Sequence, residues 1–84
     1  MNQSLAYVRE ILAGHTDIEP VGQKIFDKIS NKDYPTERLF VKNLTADEMY
    51  YLNRILEQAI EYSNQEQDYE RSKHLNEVYE LLMI

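Results

Sequence analysis

The sequence predicts an all-α fold, a small helical bundle of four main helices that ends in a C-terminal αα-hairpin. Three observations carry this. Apolar residues recur at three- and four-residue spacing in four separate stretches. A complete helix-opening signature stands at Thr45. The short apolar run Leu39-Phe40-Val41 has no second run to pair with, so as a strand it would leave its backbone groups unsatisfied.

The first helix is expected over residues 4–13, where Leu5, Val8 and Leu12 share a face with Ile11 at its edge. Gly14 stands where a left-handed C-terminal cap would fall. Two start signals compete for the second helix, over residues 20–31. Thr16 and Glu19 have capping-box spacing, while Pro20 suits the first helical position with Glu19 as cap. On either reading Val21, Ile25 and Ile29 form its buried face, and Tyr34 before Pro35 is pushed out of helical geometry. Between 32 and 44 a turn or short helix from Thr36 is favoured over a strand.

The third helix, over residues 46–63, has the sharpest signal. Thr45 can accept from the Glu48 amide while the Glu48 carboxylate returns to the Thr45 amide, and Leu44 and Met49 occupy the two staple positions. Asp47 and Glu48 also lie at the positive end of the helix dipole. Met49, Leu52, Leu56, Ala59 and Ile60 form the core face. From Glu61 to His74 the pattern is polar except for Tyr62 and Tyr69. A turn near Asn64 to Asp68 is therefore expected, with Asp68 capping a fourth helix over residues 68–83 that buries Leu75, Val78 and Leu82. The connection holds neither Gly nor Pro, which keeps a single long helix as the alternative.

A chain of 84 residues suits a single helical domain, which buries about 60–65% of its unfolded surface. Without cysteine there is neither a disulfide framework nor a thiolate metal site. The opening MNQSLAYVREIL lacks the basic start and apolar run of a signal peptide, so a cytoplasmic location is expected, with no membrane span. The formal charge of −6 is unevenly placed. Residues 45–84 hold nine acids against Arg54, Arg71 and Lys73, and the first 44 residues balance at six of each sign. This disfavours a general nucleic-acid binder, which needs clustered bases against phosphate.

Residues for chemistry are sparse. His15 and His74 have no second ligand at metal spacing beyond Glu70, one turn from His74, so no metal, cofactor or catalytic group is expected. Two isolated glycines form no phosphate loop, and the paired carboxylates fall on solvated helix faces where acid–base tuning is absent. The chain therefore reads as non-enzymatic. Lys24, Lys28 and Lys32 recur at four-residue intervals and either face phosphate or meet the acidic helices within the fold.

Seven tyrosines and no tryptophan make tyrosine the main functional clue, since its ring packs while its hydroxyl tolerates water. Tyr50 points away from Leu52, and Tyr51, Ile55 and Tyr62 share an edge that either widens the core or meets a partner. The candidate partner-binding residues are Tyr50, Tyr51, Tyr62, Tyr69, Glu57, Glu61 and Glu70, with Tyr50 and Tyr69 foremost. The apolar end Leu81-Leu82-Met83-Ile84 calls for a cover, either the first helix or a second copy in a homodimer.

The stretch NLTADEMYYLNRILEQAIEYSNQEQDYERSKHLNEVYELL resembles small uncharacterised helical proteins of Gram-positive bacteria and their phages. The resemblance covers about half the chain and implies a capped helical hairpin but no catalytic residues. The expected function is that of a small regulatory or adaptor protein that binds a protein partner through its acidic, tyrosine-bearing C-terminal hairpin. Two alternatives are an acidic inhibitor that mimics nucleic acid in a binding groove, and a DNA-binding regulator acting through the second helix.

Overall fold

A computed structural model describes residues 2–17 and 19–82. Its described elements are five helices: α1 (Gln3–Ala13), α2 (Pro20–Asn31), α3 (Glu37–Val41), α4 (Ala46–Gln65) and α5 (Tyr69–Leu82). The four main helices stand where apolar periodicity puts them. The fifth, α3, is the short helix expected from Thr36, whose hydroxyl accepts from the Leu39 amide at 3.3 Å.

Helix α1 begins one residue earlier than expected because Asn2 caps it, its side chain accepting from the Leu5 amide at 3.2 Å. At the other end Gly14 is not the left-handed cap that its position suggested. Its φ of −81° is right-handed, and the helix closes by tightening, with Gly14 N–H donating to Ile11 O at 3.1 Å and His15 N–H to Leu12 O at 2.8 Å. For α2 the competing starts resolve toward Pro20 at the first turn, with Glu19 in extended backbone and no side-chain cap bond. Gly22 is buried where α2 passes beneath the loop after α1. A Cβ there would stand 2.2 Å from the His15 carbonyl oxygen, so only glycine fits.

The capping box of α4 forms in full. Glu48 N–H donates to Thr45 Oγ1 at 3.2 Å, and Thr45 N–H donates to Glu48 Oε1 at 2.8 Å. The same buried carboxylate receives Lys28 Nζ at 2.6 Å, and Lys28 also donates to the Asn43 carbonyl at 2.8 Å. Burial alone would raise the pKa of Glu48. The Lys28 bond and charge and the Thr45 bonds outweigh it, holding the carboxyl below its ordinary value.

The αα-hairpin turn falls where expected but without glycine. Gln67 takes φ 61°, alone among the described non-glycine residues in the positive region. Gln67 N–H reaches Asn64 O at 3.1 Å and Asp68 N–H reaches Ser63 O at 2.8 Å, the paired bonds of a Schellman ending. Asp68 then accepts from the Arg71 amide at 3.2 Å and starts α5. The long-helix alternative is thereby set aside.

The core joins every helix: Leu5, Val8 and Leu12 of α1, Ile25 and Ile29 of α2, Phe40 and Val41 of α3, Leu52, Ile55 and Leu56 of α4, and Leu75 and Val78 of α5. Helix α5 packs chiefly on α4 and α1, so the start of the chain docks on its end. Ser4 is buried at that seam. Its hydroxyl donates to Glu77 at 2.9 Å and so must accept from the His74 Nδ1–H, also at 2.9 Å, while Tyr7 stacks on the imidazole at 5.3 Å. Leu81 and Leu82 are half-buried against the core, and Met83 and Ile84 lie outside the described residues.

Candidate docking surface on the helical hairpin

Helix α4 carries two further stripes, one toward solvent and one toward the side on which α1 and α2 pack. Tyr50, Arg54, Glu57 and Glu61, spaced four, three and four residues apart, face outward. Tyr51, Ile55, Gln58 and Tyr62 have the same spacing one step round the helix and look toward α1 and α2. The seven residues expected to bind a partner are thus divided between faces.

Tyr50, Tyr62 and Tyr69 are the exposed tyrosines, at 70%, 64% and 64%. Glu61 and Glu70 are exposed beside them. Tyr51 is turned inward. Its ring meets His15 edge-on at 6.4 Å, and burial, reinforced by Glu19, raises its pKa. Glu57 accepts from the Tyr79 hydroxyl at 3.1 Å, a link between α4 and α5. Burial and that carboxylate together raise the Tyr79 pKa. Ile55, placed by spacing on a tyrosine edge, belongs to the core. Of the tyrosine edge, then, Tyr51 packs against the core, as Tyr79 does from α5, and Tyr62 stands clear of it.

Two features escape sequence reading because they depend on how separate helices pack. The first is a groove of about 610 Å³ between α1, α4 and the start of α5. Ile11, Ile55 and Ala59 supply its apolar lining and Tyr62 joins them, while Glu10, Glu66, Asp68 and Arg71 add charge. Arg71 is held by Glu10 at 2.9 Å and lies over the Tyr7 ring at 5.5 Å. A smaller hollow of about 150 Å³ continues past His15, Ile55 and Gln58 to Tyr51, Glu19 and Arg54. The second feature is a patch where Met49 and Tyr50 of α4 meet Leu81 and Leu82 of α5.

His74 is a packed imidazole, and among the described residues no three His, Asp or Glu side chains gather to hold an ion. Because the Ser4 proton points to Glu77 and the imidazole N–H points to Ser4, His74 is not the acceptor of the hydroxyl proton. Of the lysine stripe, Lys28 is committed to Glu48 and Asn43, and Lys24 and Lys32 are exposed.

Residues 1–83 match the family described as CsgA, minor curli fiber component A. The chain belongs to that family. It is also 48% identical over 83 residues to the Sigma-G-dependent sporulation-specific SASP protein of Bacillus subtilis (strain 168), a match that takes in 99% of this chain and 100% of the relative. That relative comes from a Gram-positive bacterium, as the resemblance of the C-terminal half implied, and the likeness extends over the N-terminal half as well. No solved structure matches significantly. No helix of the described residues is long and apolar enough to cross a membrane.

Proposed function

We propose that this chain is a small non-enzymatic adaptor or regulatory protein of sporulation, acting by protein–protein binding through the acidic, tyrosine-bearing α4–α5 hairpin. The observation that carries the reading is the exposure of Tyr50, Tyr62 and Tyr69 on a hairpin that also bears the net charge. Tyrosines that stabilised only the fold would be covered, as Tyr34 is. The setting is taken from the name of the full-length relative. A fibre grown by strand stacking would need a strand edge, and the described elements are all helices, so the proposed setting draws on the relative more than on the family description. DNA binding through α2 is less favoured, since Lys28 is already paired within the fold.

The test is affinity capture from sporulating cells with the wild type beside a Tyr50→Ala, Tyr69→Ala double variant. Both side chains are exposed, so the variant should fold normally by circular dichroism while losing its partner. Undiminished capture would show that this surface is not the binding face. Light scattering on the pure protein measures whether a second copy is the partner.

A further inference from the structure

We infer that the groove between α1, α4 and α5 is the docking site for a basic amphipathic helix of a protein partner. An apolar side chain of that helix would seat on Ile11, Ile55 and Ala59, with an arginine or lysine laid against Tyr62 and Glu66. The inference rests on the protein-binding reading above and adds to it a second contact, on the α1 side of α4, with a stated partner chemistry.

The groove has the length to take a short helix. Together with the adjoining hollow it follows one side of α4 from Tyr51 to Glu66, a length of about 22 Å at the rise of an α-helix. The spacing of Tyr51, Ile55, Gln58 and Tyr62 supplies contacts on successive turns, which a straight partner helix can match with residues of its own.

The charge selects a cation. Glu10, Glu66 and Asp68 face Arg71, whose guanidinium is already engaged by Glu10. The C-terminal ends of α1 and α4, both negative dipole ends, open beside His15 and Glu66 at the groove. The positive end of α5 also lies there, but the Asp68 carboxylate caps it. An exposed Tyr62 ring beside Glu66 offers a face to a guanidinium and a carboxylate to its edge. An acidic or nucleic-acid ligand would meet repulsion on the same surface.

The probe is a synthetic helix of about 16 residues with a leucine stripe flanked by arginines, paired with a twin in which glutamate replaces each arginine. Binding is followed by titration and by amide chemical-shift mapping on the full chain. The arginine peptide should shift Ile11, His15, Ala59 and Tyr62, weaken as salt rises, and lose about tenfold in affinity with Tyr62→Ala or Ala59→Arg. The glutamate twin should not bind, and a Gln23→Ala variant, exposed on α2 and outside the groove lining, should bind as wild type does. Tyr62→Ala removes an exposed side chain, so it remains informative if Ala59→Arg disturbs the fold. Absence of binding, shifts centred on Tyr50 and Tyr69, or a wild-type dimer abolished by Tyr62→Ala would each overturn the assignment, the last because a second copy would then occupy the groove. Cellular capture separates the two readings. If groove variants keep the partner and the Tyr50, Tyr69 variant loses it, the groove fails and the hairpin reading stands. If neither set alters capture, both readings fail.

Discussion

Gly22 shows how one residue's environment reverses its usual cost. In a helix interior, glycine is destabilising against alanine by about 0.5–1 kcal/mol, so Gly22→Ala would ordinarily stabilise α2. Here the added Cβ would press on the His15 backbone carbonyl at 2.2 Å and lie 3.2 Å from the Tyr51 hydroxyl oxygen. A backbone oxygen cannot rotate aside as a side chain can, so the clash wins. We expect Gly22→Ala to lower stability by about 1–3 kcal/mol, seen as a drop of several degrees in Tm. A Tm equal to or above wild type would mean that the loop after α1 yields. The sequence shows Gly22 as a flanking residue of the apolar face. It does not show that a loop six or seven residues upstream folds back onto it, because nothing in the identity of His15 announces that approach.

At the scale of the element, the two ends of α4 differ in how openly they are written. The start is legible because its chemistry requires particular residues: an acceptor at Thr45, a carboxylate at Glu48, and apolar staples at Leu44 and Met49. The end is readable only through the fading of apolar periodicity after Ile60, since Gln67 has no special preference for the left-handed backbone it adopts. Similarly, Asn2 and Thr36 cap their helices, but only at Thr36 did an isolated apolar run direct attention to the site. The groove was less legible still. Tyr51, Ile55 and Tyr62 could be grouped from spacing on α4, but Glu10, Ile11 and His15 join them only through the packing of α1. The left-handed Gln67 gives a direct test. Gln67→Gly removes the steric cost at that backbone while adding some entropy to the unfolded chain, for a net gain of about 0.5 kcal/mol. The β-branched Gln67→Val should lose stability instead. Denaturant midpoints for the two variants should fall on opposite sides of wild type; a lower midpoint for the glycine variant would contradict the Schellman ending.

Across the whole molecule, the charge imbalance is bridged at Glu48. The electrically neutral N-terminal half and the acidic C-terminal half meet where Lys28 of α2 reaches the buried carboxylate that also closes the capping box of α4. A depressed folded-state pKa means that protons bind the unfolded chain more readily than the folded one. This contribution is therefore complete above the ordinary glutamate value of 4.5 and is lost as pH falls through the lower folded value. Protonation elsewhere acts in the opposite direction by relieving mutual repulsion among the many exposed acids. Comparison with Glu48→Gln separates the two, because both proteins share those exposed acids. At neutral pH the variant should be less stable by about 1.5–3 kcal/mol, the scale of hydrogen bonds to a charged group. As pH falls below the carboxylate range the wild type should lose its advantage and the two stability curves should converge. A gap that stays constant down to acid pH would mean that the ionised Glu48 carboxylate contributes nothing specific to joining the halves, leaving shape and apolar packing to hold α2 on α4.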